Sequence, residues 1–436
     1  MWARGRAIVQ EVGAQTRSDL VVVGAGAAGL ATAIFAARAA PHLRIRCLDG
    51  ARRIGAKILV SGGSRCNVTN REVTERDFWG GSSRVVRNVL RAFPAEGAAA
   101  FFEELGVTLH EEEDGKLFPD TNRSRTVLDA LLKEAARLGI AIETEHRVTA
   151  IRKDNDGLVV SFTRRADALA SADNEFRARA VAIATGGRSL PKTGSDGAGY
   201  DLVRRLGHGY VETTPALAPL VLDGDRHAAL AGVSHPATLS LRVNGRIAVR
   251  LDGPLLWTHF GMSGPVVLNM SRHWHRFRLD AESVEVLVNL LPGESFESLE
   301  GWWLEQERER PRAQVATVLA SRLPAAVADA WLDGAGVERD MTMAHLDRDR
   351  RRGLVRALVE GRASVVDSRG YAYAEVTAGG IPLEEIDPAT MRSRVCPGLY
   401  LVGEILDVDG RLGGFNFQWA WSSGWVAGHA AAKALS

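Results

Sequence analysis

The sequence predicts an α/β fold, in which a three-layer domain built on a parallel sheet is interrupted by an inserted cap. An apolar strand near the start of the chain runs into a glycine-rich turn, and strand and helix signals alternate through the first third. A further apolar strand lies at 399–403, so we expect the C-terminus to return to the first domain. Between these parts, the stretch from about 191 to 361 has a different pattern of apolar residues, with strand-like alternation first and helical spacing later.

The first strand and its turn form the most informative motif of the chain. The stretch VVVGAGAAG joins an apolar strand to G-x-G-x-x-G. In this motif Gly24 permits a tight turn, Gly26 lets the backbone approach a pyrophosphate, and Gly29 lets the following helix pack on the sheet. The N–H groups at the start of that helix, from Ala27 and Ala28, would point at the phosphates. The sequence therefore predicts a Rossmann-like dinucleotide-binding domain of the glutathione-reductase type.

The end of the second strand narrows the choice of dinucleotide. The strand at 43–48 leads to Asp49, about 20 residues beyond the third glycine, where a carboxylate is expected to bind ribose hydroxyls. An acidic residue there disfavours a 2′-phosphate, so we expect FAD or NAD rather than NADP. The glycines at 194–199 do not have the spacing of a second such motif, and we therefore expect one tightly bound dinucleotide.

Composition indicates a large soluble enzyme. The 436 residues exceed the usual size of a single core, so we expect two or three domains. A formal net charge of +1 gives no overall attraction to nucleic acid or to a membrane, which favours a small-molecule substrate. No apolar run is long enough for a membrane span. The three scattered cysteines suit a reduced, cytoplasmic compartment, and no metal site is predicted. The oligomeric state is left open.

Periodicity predicts the organisation of the rest of the chain. Helical spacing of apolar residues occurs at 85–105, 125–138 and 302–332, and strand-like alternation at 158–162, 237–249 and 284–291. The predicted domains are an N-terminal extension at 1–18, a nucleotide-binding domain at 19–190 plus 362–436, and a cap at 191–361. Within the cap, 191–291 is expected to be mainly β and barrel-like, and 292–361 mainly helical.

Four longer motifs occur in order along the chain. They read GAKILVSGGSRCNVTN at 55–70, WTHFGMSGP at 257–265, TAGG at 377–380, and GEILDVDG at 403–410 followed by GGFN at 413–416. Together they resemble the YhiN/BaiN-like bacterial flavoproteins, some of which are named as aminoacetone oxidase-like. The resemblance covers nearly the whole chain. It implies an NAD(P)/FAD-dependent oxidoreductase that binds FAD without a covalent link.

The motifs contain most of the expected cofactor contacts. Small residues in SGGSRCN would let the backbone run close under the flavin and phosphates, with Asn67 offering amide donors and Arg65 a fixed positive charge. Glu404 resembles the position where related flavoproteins bind the ribityl chain. The N–H groups of the helix that follows Gly414 would stabilise negative charge on the reduced flavin. The residues expected to contact FAD are Gly24, Gly26, Ala27, Ala28, Gly29, Asp49, Lys57, Ser61, Gly62, Gly63, Arg65, Cys66, Asn67, Val148, Thr185, Gly186, Gly187, Gly403, Glu404, Gly413, Gly414, Phe415 and Asn416.

Residues for the reaction itself are harder to select. His259 is the candidate for proton transfer because imidazole titrates near neutral pH, but a histidine hydrogen-bonded within a turn would look the same in sequence. Arg188 is the candidate for binding a substrate carboxylate, although it would equally suit the FAD phosphates. Tyr371 and Tyr373 are more typical of a half-buried strand than of a catalytic pair. Cys66 has no second cysteine at redox-pair spacing, which argues against a disulfide reductase.

These observations favour an FAD-dependent oxidoreductase that exchanges hydride with a small organic substrate, with NAD(P)H as a transient reductant. One alternative is an FAD-dependent amine oxidase that uses oxygen. A different class of function is a flavoprotein whose FAD is structural or which modifies RNA. The weak net charge argues against RNA.

Overall fold

A computed structural model describes residues 17–164, 174–281 and 283–436. The predicted N-terminal extension lies outside these residues, apart from its last two positions, which begin the first strand. The described chain forms two units, one of residues up to Thr213 together with Glu375–Ser436 and the other of Thr214–Ala374. The predicted cap at 191–361 overlaps the second unit, and its exact boundaries stay a prediction.

The secondary structure alternates strands and helices early in the chain and is richer in antiparallel strands in the middle. The strands are β1 (Arg17–Val23), β2 (Ile45–Leu48), β3 (Thr69–Asn70), β4 (Phe78–Gly80), β5 (Leu109–Glu112), β6 (Lys116–Pro119), β7 (Ala141–Glu143), β8 (His146–Asp154), β9 (Gly157–Arg164), β10 (Asn174–Ile183), β11 (Val211–Ala216), β12 (Leu220–Leu222), β13 (Ser234–Val243), β14 (Arg246–Thr258), β15 (Gly261–Ser263), β16 (Val284–Asn289), β17 (Gly361–Ala363), β18 (Val365–Ser368), β19 (Val376–Gly380), β20 (Ile386–Asp387), β21 (Arg392–Ser393), β22 (Leu399–Leu401) and β23 (Val408–Gly410). The helices are α1 (Ala27–Ala39), α2 (Ala56–Ser64), α3 (Ser83–Ala92), α4 (Ala95–Glu104), α5 (Ser124–Arg137), α6 (Ala198–Arg205), α7 (Pro265–Phe277), α8 (Phe296–Glu309), α9 (Val315–Ala320), α10 (Ala325–Gly334), α11 (Arg348–Val359) and α12 (Phe415–Leu435).

The main sheet of the first unit has the predicted parallel core. Its order is β20–β21–β22–β10–β1–β2–β7, with β22, β10, β1, β2 and β7 parallel to one another. The strands β8 and β9 extend from β10 as an antiparallel ribbon, and β9 contains the segment 158–162 whose alternation predicts a strand. Leu20, Val21 and Val22 of β1 are completely buried, as expected for a parallel strand that is covered on both faces.

Helix α12 packs on α1 against this sheet. A Cβ at Gly424 or at Gly428 would lie 2.7–2.9 Å from atoms of α1, so only glycine allows the two helices to approach this closely. Trp419 and Trp421 of α12 are buried. The Trp421 indole N–H donates to the carbonyl of Val68 at 2.8 Å. These tryptophans are therefore packing residues.

The second unit contains a curved antiparallel sheet and a group of helices, α8 to α11. The sheet order is β17–β16–β13–β14–β15–β12–β18, so its two edge strands are also consecutive in the chain. Only Ser364 separates β17 from β18. A single residue spans at most about 7 Å between its neighbours, so the sheet must curl until its edges nearly meet, as in a barrel.

Local sequence signals explain where elements differ from their predicted extents. The segment 237–249 is a hairpin rather than one strand, because Asn244 and Gly245 both adopt positive φ (47° and 83°), as in the two-residue turn that this dipeptide favours. The helical region 85–105 divides into α3 and α4 at Pro94. The region 302–332 divides into three helices, with Pro311 and Pro324 in the breaks, because proline lacks the N–H that a helix interior needs.

The three cysteines, Cys47, Cys66 and Cys396, are buried and free. Burial raises the pKa of the Cys47 and Cys66 thiols to about 12. Within the ranges described above, no three His, Cys, Asp or Glu side chains are grouped so that they could hold a metal ion. No helix in those ranges combines the length and apolar character that crossing a membrane requires.

Candidate cofactor-binding site

Four predicted motifs follow neighbouring parallel strands of the main sheet. Gly24 follows β1, Asp49 follows β2, Thr185 lies two residues after β10, and Gly403 lies two residues after β22. Since the carboxyl ends of parallel strands meet at one edge of a sheet, these residues lie along the same edge. Backbone hydrogen bonds extend the sheet into the loops. For example, the Gly24 N–H donates to the carbonyl of Leu48, the last residue of β2, at 2.8 Å. This edge is where open α/β sheets bind their ligands.

The three glycines of the first turn have different surroundings. Gly24 has φ 100°, and a Cβ there would lie 2.4 Å from the Ala184 carbonyl oxygen. A Cβ at Gly29 would lie 1.9 Å from the Gly24 carbonyl oxygen. At Gly26 a Cβ would meet no atom within 4 Å, and φ is −84°. Gly24 and Gly29 are therefore required by the fold itself, whereas the space at Gly26 is open, as a pyrophosphate would need.

The start of α1 offers unpaired donors beside that space. Its first helical hydrogen bond runs from the Leu30 N–H to the Gly26 carbonyl at 2.9 Å. The N–H groups of Ala27, Ala28 and Gly29 consequently have no partner within the helix. The first turn carries no acidic residue that would compete with an anion. The donors and the positive end of the helix dipole suit phosphate.

Asp49 joins the two βα loops through both of its carboxylate oxygens. Its Oδ2 accepts from the Ala25 N–H and its Oδ1 from the Ala51 N–H, each at 2.8 Å. A carboxylate has about four acceptor sites, so capacity remains for the ribose hydroxyls that the sequence predicts at this position. Val148 is buried on β8 where the strand register shifts, an irregularity of the kind that often lies beside ligand sites.

Two buried hydroxyl groups near β10 have no hydrogen-bond partner among the described residues. They are Thr185 Oγ1, which the sequence predicts as a contact, and Ser195 Oγ, which it does not. A Cβ at Gly186 (φ 71°) would lie 2.7 Å from Ser195 Oγ. An unsatisfied buried hydroxyl costs about 1–3 kcal/mol, so a bound oxygen-rich ligand would relieve both. Together with the open space at Gly26, these hydroxyls show that the residues present fit the phosphates and ribose of FAD.

The loop at 61–66 departs from helical geometry. Gly62 and Gly63 have positive φ values of 53° and 67°, and Ser64 and Cys66 have 67° and 65°. Positive φ is uncommon outside glycine and tends to occur at functional sites. A Cβ at Gly63 would meet nothing within 4 Å, which leaves room for a ligand there. The Ser61 hydroxyl, at the first residue of this departure, donates to the Ile58 carbonyl at 2.8 Å.

Arg65 and Asn67 already have protein partners. Arg65 forms an ion pair with Glu112 at 2.6 Å and stacks on the Phe118 ring. In the amide orientation that satisfies its neighbours, the Asn67 side-chain oxygen accepts from the Gly414 N–H at 3.1 Å. The Asn67 side-chain nitrogen donates to the Thr69 carbonyl. The charge of Arg65 is thus partly neutralised, and the Asn67 amide joins the loop to the start of α12. Their direct contact with FAD stays a prediction.

A polar cluster joins α2 to the ends of β10, β19 and β22. Lys57 Nζ donates to Glu404 Oε2 at 2.5 Å and to Ser189 Oγ at 2.6 Å. The Ser189 hydroxyl and the Thr377 N–H both donate to Glu404 Oε1, at 2.7 and 2.9 Å. The sequence does not predict Ser189 as a site residue, and Thr377 occurs there only as part of the TAGG motif. The side chain of Arg188 is exposed, while its N–H donates to Thr377 Oγ1 at 2.8 Å.

Two predicted glycines pack tightly around this cluster. A Cβ at Gly187 would lie 2.4 Å from Thr377 Oγ1, and one at Gly403 (φ 72°) would lie 2.8 Å from the Ala28 Cβ. The loops after β10 and β22 can therefore approach each other and the start of α1 only with glycine at these positions.

The start of α12 is held by its own loop. Gly413 and Gly414 have φ values of 128° and 92°. The Asn416 amide bonds both the N–H and the carbonyl of Gly410, each at 2.8 Å. Phe415 is completely buried, so it is a packing residue. The first helical bond starts at the Gln418 N–H, which leaves the preceding N–H groups without helical partners.

His259 lies in the second unit, in the two-residue turn between β14 and β15. It is exposed, and its ring meets the Phe260 ring edge-on with centroids 5.0 Å apart. Its ring nitrogens have no hydrogen-bond partner in the described part of the chain, so the hydrogen-bonded turn that would explain it structurally is not seen there. Proton transfer by His259 stays a prediction.

Comparisons with known proteins agree with this geometry. The family described as "HI0933-like protein Rossmann domain" matches residues 18–430. The chain is 32% identical over 412 residues to a 3-dehydro-bile acid delta(4,6)-reductase of Clostridium scindens, covering 94% of this chain and 98% of the relative. It is 31% identical over 411 residues to a ribosomal RNA dihydrouridine synthase of Haemophilus influenzae, covering 94% and 97%. An E. coli relative with the same name is also 31% identical.

Among solved structures, FrdA of E. coli quinol fumarate reductase aligns with a TM-score of 0.50 and 20% identity, covering 96% of this chain and 70% of that one. At this identity the likeness concerns the fold alone. The family match spans nearly the whole described chain, and the relatives are covered almost completely. The chain belongs to the HI0933-like Rossmann family, the YhiN/BaiN-like family of FAD-dependent oxidoreductases.

Proposed function

We propose that this protein uses FAD to reduce a carbon–carbon double bond conjugated to a carbonyl group in a small organic molecule. The observation that carries the proposal is the ligand edge of the main sheet, with open space at Gly26 and unpaired donors at the start of α1. The names of the relatives support the choice of reaction. A 3-dehydro-bile acid delta(4,6)-reductase and a dihydrouridine synthase both bear names that denote hydrogenation of a ring double bond.

The reaction adds one hydride and one proton across the double bond. When bound, FAD in its reduced form supplies the hydride. The start of α1 would hold the pyrophosphate, and the cluster of Lys57, Glu404 and Ser189 would hold the ribityl side. The unpaired N–H groups at the start of α12 would stabilise negative charge on the bound ring system.

The proton must reach the carbon next to the carbonyl group. We assign its delivery to His259, whose imidazole is exposed and has no hydrogen-bond partner in the described ranges. Replacement with Gln keeps a polar side chain of similar size but removes the titrating group. His259→Gln is expected to retain FAD and to lower turnover by about 10²-fold or more. Unchanged turnover would assign His259 to the turn alone.

The electron donor in this proposal is NADH or NADPH, which would bind transiently. The test is an anaerobic titration of the FAD-saturated protein with each nucleotide, followed by the visible absorbance of the flavin. Rapid bleaching, then reoxidation by a conjugated enone, is the expected result. An FAD-loaded protein that neither nucleotide bleaches would refute this donor, and bleaching by an amine would favour an amine oxidase instead.

A ribosomal RNA substrate is the second candidate, because two relatives with that name match 94% of the chain. The net charge of +1 argues against it, since RNA binding depends mainly on phosphate neutralisation. Dihydrouridine formed in ribosomal RNA by the purified, NAD(P)H-reduced protein would favour RNA over a small molecule.

A further inference from the structure

The second unit carries an arginine stacked between two aromatic rings. The Arg369 guanidinium lies 3.7 Å from the centroid of the Tyr373 ring and 4.5 Å from that of Phe260. Tyr373 is 53% exposed, although tyrosine usually buries most of its ring. We name Arg369, Phe260, Tyr373 and the neighbouring His259 the stacked-arginine cluster.

The guanidinium of Arg369 has no acceptor in the part of the chain that the structure describes. Its side chain forms no hydrogen bond or ion pair within the ranges that the structure describes, whereas Arg322 pairs with Glu294 at 2.5 Å and Arg362 with Glu285 at 3.0 Å in the same unit. The backbone of Arg369 is held in place, because its N–H donates at 2.9 Å to the carbonyl of Pro219, the residue before β12. Contact with two aromatic rings restricts the orientation of the planar group, while its N–H edge has no acceptor among the described residues.

The other members add the remaining elements of a binding site. The His259 ring lies edge-on to Phe260 and has no hydrogen-bonding partner among the residues described. Tyr373 presents an exposed ring on which a flat molecule could stack. An unpaired guanidinium between aromatic rings matches a ligand that combines a planar ring with an oxygen anion, because guanidinium binds such anions through two parallel hydrogen bonds.

We infer that the stacked-arginine cluster binds the anionic oxygen group, a carboxylate or a phosphate, of a substrate that carries a flat ring system. This inference rests on the proposed function only in taking the bound molecule to be the substrate of the reduction. A carboxylate would come from an acidic small molecule, and a phosphate from a nucleotide unit. The chemistry recognised by Arg369 is the same in both cases.

Equilibrium dialysis of the FAD-loaded protein tests the inference with two acids and their uncharged counterparts. The probes are 2-naphthoate, a flat aromatic carboxylate, with its methyl ester, and uridine 5′-monophosphate with uridine. We expect one acid to bind more tightly than its counterpart, which identifies the source of the anion. Arg369→Met should weaken binding of that acid by about tenfold or more and leave the uncharged counterpart unchanged.

Three further variants separate charge from stacking. Arg369→Lys keeps the charge but loses the planar fork, so we expect partial loss of acid binding. Tyr373→Phe keeps the ring and should bind as wild type, whereas Tyr373→Ala should weaken both the acid and its counterpart. Arg362→Met is the matched control, because Arg362 is already paired with Glu285, and acid binding should not change.

Several results would overturn the inference. They are wild-type affinity of Arg369→Met for the acid, equal loss of the acid and its uncharged counterpart in that variant, and failure of both acids to bind wild type at millimolar concentration. Circular dichroism and thermal unfolding of each variant report its folding. If the acid binds as expected but no substrate is reduced, the proposed reaction fails and the binding site stands.

Discussion

The substitution Gly26→Ala separates cofactor binding from folding. A Cβ at this position meets no protein atom within 4 Å, and φ of −84° suits any residue. The free energy of unfolding of the apoprotein should therefore change by less than about 0.5 kcal/mol. A bound pyrophosphate, in contrast, would need the space that the methyl group fills.

The cost to FAD affinity follows from the donors at the start of α1. Three N–H groups, from Ala27, Ala28 and Gly29, are available to the phosphates. A hydrogen bond to a charged group contributes about 1.5–3 kcal/mol. If the methyl group displaces the pyrophosphate from about two of them, roughly 3–6 kcal/mol is lost, which raises Kd by about 10²- to 10⁴-fold. Gly26→Val should abolish FAD retention.

The assay measures FAD retained after gel filtration, Kd by quenching of flavin fluorescence, and thermal unfolding of the apoprotein. Gly24→Ala is the control for folding, because its Cβ would lie 2.4 Å from a carbonyl oxygen at φ 100°. That variant should lose more than about 2 kcal/mol of stability without any ligand. Normal FAD affinity in Gly26→Ala would refute the assignment of the open space to the pyrophosphate.

Two further predictions concern pH and thiol chemistry. Hydrogen bonds from Arg137 and Arg38 hold the pKa of Glu134 at about 2. Because the folded-state pKa is lowered, this carboxylate stabilises the fold above its ordinary pKa of 4.5 and loses that effect as pH falls toward 2. The loss should reach about 3 kcal/mol in urea unfolding, and Glu134→Gln should flatten the profile; an unchanged slope would contradict the pairing. Since the Cys47 and Cys66 thiols have pKa values of about 12 and Cys396 is also buried, a thiol reagent at pH 8 should modify none of them until the protein is denatured, and rapid native labelling would show that a thiol is accessible.

The parts of the site that the sequence predicts are those set by local backbone demands. Gly24 and Gly29 can be predicted from the sequence. The turn at Gly24 has positive φ and the helix contact at Gly29 is close, so neither position admits a side chain, and the two glycines therefore occur at a fixed spacing. Asp49 can be predicted because the βα unit has a regular length, which places this residue at the same edge of the sheet as the glycines. The prediction of FAD rather than NAD came from the longer motifs and their family resemblance.

Side-chain partnerships follow a different rule, because they depend on residues that are far apart in sequence. Lys57 and Glu404, separated by 347 positions, meet only after β10, β19 and β22 have been arranged, and the same arrangement brings in Ser189. The sequence predicts that Arg65 and Asn67 contact the cofactor, which stays a prediction, whereas only tertiary packing shows that Glu112 and the Gly414 N–H are their protein partners.

The sequence by itself determined the class of fold, and it predicts the place of the dinucleotide and the glycines that would make room for it, because each depends on a few consecutive residues. Only the tertiary structure decided which polar side chains are satisfied and which are not. Within the described residues it left the Thr185 and Ser195 hydroxyls without partners, and it placed the Arg369 guanidinium over the rings of Phe260 and Tyr373. Whether a buried or stacked polar group has a hydrogen-bond partner depends on all of its neighbours in space. Those neighbours are distant in sequence and cannot be predicted from the spacing of residues along the chain.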